Sequence, residues 1–484
     1  MSLKLLNSII FFFLTGFISG QQNDLVQSKI DNILASTEFK HANVSISVVD
    51  ITSNQLIGSH RPEKVLVPAS SLKLFTTLSS LVKLGKDYQF QTKVEYDGVV
   101  DEDGTLQGNL FITGGGDPTF GSDKFSNNYS FEALLEGIST KIIEAGITCI
   151  NGLIVADESI FDSYPVAPSW QWNDLGNYYA SGAWGLNVNE NLYYIHFDKR
   201  NNIGSQPSIY KVYPFVPNLS LSNEIIIDSS HTGDNAYIFG GPYNFYKRIV
   251  GTIPKGTGLF TIKGSIPDPP LFLAYHIRNN LDYHNVQSNG SEAKYKADYH
   301  KRTELCSYYS PPLKEIIRLT NVESNNLYAE CILKMMGLKF RGQGSGQNGI
   351  AVIKSQLRHY NINSEVLIFH DGSGLSARNQ ITSSSMAYFL SKINSDLELK
   401  DILETLPRGG YTGTVRGMFN NSRARGNVWL KSGSMEGIQS YSGYINSASG
   451  KWLSFSIIVN GFSVKGSVIR AKLEKLITDI YYSA

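Results

Sequence analysis

The periodicity of apolar residues changes character twice along the chain, and this limits its architecture more than any other sequence feature. Near the N-terminus Val44, Ile46, Val48 and Val49 predict a strand, and Gln55 to Gly58 its return. Leu74, Phe75, Leu78, Leu81 and Val82 then follow helical spacing within Ser71 to Leu84. Alternation takes over from there. Phe90, Thr92, Val94 and Tyr96 share a face, an Asp103-Gly104 turn follows, and Leu106 to Thr113 reads as extended. A helix over Phe131 to Ala145 interrupts the pattern. Strand-like runs resume at Leu153 to Ala156, Ile225 to Ile227 and Leu259 to Lys263. Helical spacing returns after Pro267-Asp268-Pro269-Pro270, in Leu271 to Asn279, Leu313 to Leu319, Leu327 to Met336 and Ile350 to His359. A hairpin of Tyr441 to Ile445 and Trp452 to Val459 precedes a helix through Leu473, Leu476 and Ile480. Two helix-and-strand segments thus flank a β-rich middle. That is the pattern of one domain carrying a large insertion.

Composition excludes several functions. The 484 residues carry 43 Lys+Arg against 42 Asp+Glu, so the clustered basic excess of a nucleic-acid binder is missing. Hydrophobic residues make up 42% and charged residues 18%, enough apolar material for full cores. Cys149, Cys306 and Cys331 are too few and too scattered for a disulfide framework or a cysteine zinc site. No histidine pair has metal-ligand spacing, so neither a metal nor a cofactor is expected. Gly114-Gly115-Gly116 lacks the Lys-Ser/Thr of a phosphate-binding loop, and no G-x-S-x-G elbow occurs. Lys4, the apolar run Leu5 to Phe17 and the small pair Ser19-Gly20 predict a secretory signal over residues 1–20. The mature protein is therefore expected in the bacterial periplasm or cell envelope, soluble and without a spanning helix.

Three short motifs carry chemistry. In Ser70-Ser71-Leu72-Lys73 the serine and lysine stand at i and i+3 on one side of a helix start. Free backbone N–H groups there favour developing negative charge. A desolvated lysine can serve as the base that a serine nucleophile needs. Ser324-Asn325-Asn326 precedes the helix at Leu327 and offers a hydroxyl and a carboxamide. Lys431-Ser432-Gly433-Ser434 follows the strand-like Asn427 to Leu430, where a lysine and a hydroxyl can clamp a carboxylate. Gly433 leaves room for a substrate backbone to approach. Taken singly, each motif also reads as a helix cap or a strand end.

In the order S-x-x-K, S-x-N, K-[ST]-G, the set resembles the β-lactamases and penicillin-binding proteins. Roughly 250 residues separate Lys73 from Ser324, far more than a compact β-lactamase allows. The chain is therefore similar to the class C low-molecular-mass penicillin-binding proteins, the D-alanyl-D-alanine carboxypeptidase/endopeptidase family. Gly115-Gly116-Asp117-Pro118-Thr119, Ser310-Pro311-Pro312-Leu313 and Asp371-Gly372-Ser373-Gly374-Leu375-Ser376 add to the resemblance. Ser432 and Met435 stand where threonine and leucine are common in the family.

The resemblance implies an α/β (α+β) β-lactamase/transpeptidase-like catalytic domain. Its antiparallel sheet would be flanked by helices over 21–86 plus 266–484. An inserted β-rich accessory region over 87–265 would form two subdomains. It implies a serine DD-peptidase with Ser70 as nucleophile, Lys73 as base and Ser324 as proton relay. Lys73 would lose proton affinity through burial and the nearby Lys431. Asn326, Lys431, Ser432 and Gly433 would bind substrate, and the backbone N–H groups of Ser70 and Ser434 would form the oxyanion hole. Arg378 would meet a stem-peptide carboxylate, and Asp157 the amine of a stem-peptide diamino acid. Peptidoglycan stem peptides would be substrates and β-lactams covalent inhibitors. Peripheral association with membrane or wall, and oligomeric state, stay open. So do a β-lactamase or esterase on the same scaffold and a non-catalytic wall-binding protein.

Overall fold

The computed structural model describes residues 24–125, 130–297 and 301–484. The expected signal over 1–20 lies outside them. The chain divides into two compact units: Met1–Lys83, Ile317–Ser324 and Ile350–Ala484 form unit 1, and Leu84–Ile316 with Asn325–Gly349 form unit 2.

Unit 1 is built on a five-stranded antiparallel sheet. Its order is Val428–Met435, Ile438–Asn446, Trp452–Asn460, Asn43–Asp50, Gln55–His60. Alternation along these strands sorts side chains by face. Ile46, Val48, Phe455, Ile457, Leu430 and Ile445 join one core, shared with the helices 24–34 and Gly466–Ser483. Burial of each large apolar side chain contributes about 1.5–3 kcal/mol. The opposite face is lined by small hydroxyls, which let helices lie close. Ser45 donates to Ser383 Oγ at 2.7 Å, Ser454 to the carbonyl of Ala387 at 2.8 Å, and Ser442 to Ser456 Oγ at 2.9 Å. Helix Ser383–Lys392 covers this face, and Phe75 of helix Lys73–Leu84 packs on its Phe389 at 4.9 Å between ring centroids.

Unit 2 contains three sheets. The largest has seven strands, with Cys149–Asp157 parallel to both Leu110–Thr113 and Gln287–Lys294. Two three-stranded sheets have the orders Ser220–Asp228, Tyr246–Pro254, Asn235–Phe239 and Leu259–Ser265, Leu192–Asp198, Ile209–Tyr213.

The return to unit 1 comes later than the texture change at Pro267 suggests. Helix Pro269–Tyr283 places Phe272, Leu273, Ile277 and Leu281 in the unit 2 core, with Phe272 stacked on Phe131 at 5.2 Å. Thr303–Tyr309 then adds to the large sheet beside Gln91–Tyr96. Residues 266–316 therefore belong with the inserted part rather than with 21–86.

Candidate active site

The segment before Ser70 is pinned to the unit 1 sheet. The Asn460 side chain pairs with Val67 like a strand neighbour, accepting from its N–H at 2.8 Å and donating to its carbonyl at 3.0 Å. Ala69 then takes a left-handed φ of 49°. For a residue with a Cβ this conformation is strained, and such strain persists where surrounding contacts enforce it. A 3₁₀ turn over Ala69–Leu72 runs directly into the α-helix Lys73–Leu84. The nucleophile candidate thus sits in a tightened first turn, ahead of the α-helix proper. Ser70 is half-buried, whereas Lys73 is fully buried. The Lys73 ammonium donates to Ser70 Oγ at 3.0 Å and to the carbonyl of Ser373 at 2.7 Å.

That carbonyl is delivered by the Asp371–Ser376 loop. The buried Asp371 carboxylate accepts from the N–H groups of Gly374 at 2.9 Å and Ser376 at 2.6 Å, and from Asn379 Nδ2 at 2.7 Å. Thr76 of the helix donates to the carbonyl of Gly372 at 2.7 Å. Gly374 has φ +77°, and a Cβ there would stand 2.0 Å from the carbonyl oxygen of Ala69. Only glycine permits this crossing. Arg378 is exposed on the same loop, its N–H donating to Ser376 Oγ.

The second motif splits into two roles. Asn325 caps helix Asn326–Arg341, its side chain accepting from the N–H of Tyr328 at 3.2 Å. Ser324 takes a left-handed φ of 61° and accepts a 2.9 Å bond from Lys431 Nζ. Capping by Asn325 leaves the Ser324 hydroxyl available for that bond. In unit 2, Asn326 donates to the carbonyl of Tyr179 at 2.8 Å.

The third motif lies inside an edge strand, since the strand continues to Met435. Lys431 is fully buried and also donates to the carbonyl of Ser432 at 2.8 Å. Desolvation, and then repulsion from Lys73, hold its proton affinity well below the usual lysine value. The half-buried Ser432 shares a 2.7 Å hydrogen bond with Thr414, a partner that sequence reasoning missed and that no periodic pattern marks. Ser434 is exposed.

Gly433 has a structural reason that sequence reasoning missed, and the expectation for Asp157 needs correction. A Cβ on Gly433 would meet the carbonyl oxygen of Pro68 at 2.4 Å, Ser440 Oγ at 2.4 Å and the Ser70 nitrogen at 2.9 Å. The glycine is required by the protein's own backbone crossing. Asp157 is buried in unit 2, where Arg302 binds it at 2.7 Å, Lys294 lies at 3.8 Å and the N–H of Ser159 donates at 3.0 Å. Its charge is neutralised within the fold, so it is not presented to a substrate amine.

A serine hydroxyl paired with a buried lysine, beside a second lysine–serine pair on an antiparallel sheet, is the arrangement of the lysine-activated serine acyl-transfer enzymes. Within that class the chain belongs to the D-Ala-D-Ala carboxypeptidase 3 (S13) family, whose model matches residues 26–478. It is a serine-type DD-peptidase of the peptidoglycan-acting kind. The D-alanyl-D-alanine carboxypeptidase DacB of Haemophilus influenzae is 25% identical over 447 residues, covering 91% of this chain and 90% of the relative. The D-alanyl-D-alanine carboxypeptidase of Actinomadura sp. (strain R39) is 26% identical over 470 residues, covering 92% and 82%. The fold matches the crystal structure of penicillin binding protein 4 from Haemophilus influenzae with a TM-score of 0.79 at 24% identity, over 91% of this chain and 96% of that one. Among the described residues no helix is long and apolar enough to cross a membrane.

Proposed function

We propose that the protein is exported to the cell envelope, where it removes terminal D-Ala from stem peptides and cleaves D-Ala cross-links. The observation that carries this reading is the 3.0 Å bond from Lys73 to Ser70, beside the 2.9 Å bond from Lys431 to Ser324. Lys73 takes the Ser70 proton while Oγ attacks the penultimate D-Ala carbonyl. The developing oxyanion is held by the N–H groups of Ser70 and Ser434. The proton that Lys73 has taken up then passes, through the Ser324 hydroxyl, to the leaving amine. Asn326 orients the substrate amide, and Lys431 with Ser432 receives the terminal carboxylate. Water then attacks the acyl-enzyme and frees Ser70.

A β-lactam presents the same acyl-D-Ala-like carbonyl, and the reading makes it a covalent inhibitor. A related crystal structure, penicillin binding protein 4 of Haemophilus influenzae, is a complex with a β-lactam. Incubation with benzylpenicillin followed by peptide mass spectrometry tests the assignment. A long-lived adduct on Ser70, lost in Ser70→Ala together with release of D-Ala from muropeptides, is the expected result. Undiminished labelling of Ser70→Ala would sink the nucleophile. Rapid drug hydrolysis without a persistent adduct would make the chain a β-lactamase.

A further inference from the structure

Unit 2 carries a groove of about 510 Å³ between the edge strands of its two small sheets. Pockets that hold small ligands span about 300–1,000 Å³. One wall is the edge strand Asn235–Phe239 and the other is the edge strand Leu259–Ser265. The loop Asn177–Tyr179 lies along it, fixed by Asn177, which accepts from the N–H of Ile238 at 3.0 Å.

The lining is unusual for a solvated surface. Tyr178 and Tyr237 are 55% and 45% exposed, though burial of such rings ordinarily stabilises a fold. Tyr237 and Phe239 share a strand face, and Trp172, 66% exposed, packs on Phe239 at 4.6 Å. An aromatic track therefore extends beyond the groove. Besides the tyrosines its polar lining is Asn177, Asp234, Asn235, Thr261 and Lys263, one acid and one base among neutral groups. Lys263 stands 6.0 Å over the Tyr178 ring.

Exposed ring faces alternating with neutral hydrogen-bonding groups suit a ligand with apolar C–H faces and equatorial hydroxyl and amide groups. A pyranose chain has that surface. A free stem peptide, rich in carboxylates, would call for concentrated positive charge, and the groove balances Lys263 with Asp234. We infer that this groove is a docking subsite for the glycan strand, a β-1,4-linked N-acetylhexosamine chain. The inference rests on the peptidoglycan reading above and extends it from stem peptide to sugar backbone. The groove is also chained to the second motif, because the carbonyl of Tyr179, next to Tyr178, is the acceptor for Asn326.

The test uses full-length protein and N,N′,N″,N‴-tetraacetylchitotetraose, which carries no peptide. Calorimetry or ligand-observed NMR should show binding by the wild type and by Ser70→Ala. The Tyr178→Ala/Tyr237→Ala variant should weaken binding by on the order of tenfold or more. Tyr178→Phe/Tyr237→Phe, which keeps both ring faces, should retain most of it. Penicillin labelling and turnover of a free acyl-D-Ala-D-Ala peptide should be unchanged in both double variants, while the alanine variant digests intact sacculi more slowly. No tetrasaccharide binding by the wild type, or binding indifferent to the alanine substitutions, overturns the proposal. So does displacement from these tyrosines by a free stem tripeptide but not by the sugar. Failure of the peptidase reading would appear separately, as loss of labelling and turnover in the wild type itself.

Discussion

Burying an ammonium group strips its hydration, and Lys431 receives in exchange bonds to Ser324 Oγ and the carbonyl of Ser432. Its proton affinity falls because desolvation and the charge of Lys73 both oppose the protonated form. Between the lowered value and 10.5 the unfolded chain holds a proton that the folded chain has shed. Stability therefore rises with pH across that window. Lys431→Met should flatten this rise and leave the urea midpoint at neutral pH equal or higher. It should also slow acylation of Ser70 by roughly 10²-fold or more, as loss of a preorganised charge at an acyl-transfer site does. Denaturation curves at several pH values and stopped-flow penicillin labelling read the two effects separately. A lowered midpoint would mean that Lys431 stabilises the fold instead of straining it.

At the level of elements, the Asp371–Ser376 loop is the support on which Lys73 depends. Gly374→Ala would add a Cβ at φ +77° and against the carbonyl oxygen of Ala69. The expected loss is about 1–3 kcal/mol of stability, with displacement of the Ser373 carbonyl from Lys73. Thermal melts should report the first, and a slowed acylation rate in still-folded protein the second. In unit 2, strand Cys149–Asp157 leads into Glu158, whose burial raises its carboxyl to about 8 while the N–H of Gly185 donates to it at 3.2 Å. Between 4.5 and about 8 the folded state holds the extra proton, so this group's contribution to stability declines as pH rises through that range. Glu158→Gln should remove the decline, as urea midpoints measured from pH 5 to 8 would show. How much of this was readable beforehand depended on patterning. Ser70 and Lys73 stood out only through the order of the three motifs, and the strands around Ile46 and Ile457 through their apolar runs. Gln287–Lys294 reads Gln-Ser-Asn-Gly-Ser-Glu-Ala-Lys and has no apolar alternation, because its pairing with Cys149–Asp157 makes it a strand. The Thr414 partner of Ser432, the docking of the Asp371 loop on Lys73 and Thr76, the backbone crossing at Gly433 and the pairing of Asp157 with Arg302 all join residues separated in sequence, which no local pattern records.

At the scale of the molecule, the size of the two cores makes covalent cross-links unnecessary. Cys149, Cys306 and Cys331 are free, and burial raises the Cys331 thiol far above its ordinary value. Cys331 should resist alkylation until the chain unfolds, and reductant should leave the melting temperature unchanged. Intact-mass spectrometry after iodoacetamide in native buffer and in urea checks the first, paired melts the second. The route of the backbone adds a constraint of another kind. The chain leaves unit 1 after Lys83, visits it again over Ile317–Ser324, and settles there only from Ile350. Ser70 and Lys73 thus emerge first in synthesis, and Lys431 follows Lys73 only 358 positions later. At about 5–20 residues per second, more than fifteen seconds separate Ser70 from Lys431. A chain halted at Asn427 should carry every atom of the serine–lysine pair and still fail to take up fluorescent penicillin. The site would then stay inert until the strand bearing Lys431, and the two strands that follow it, join the sheet.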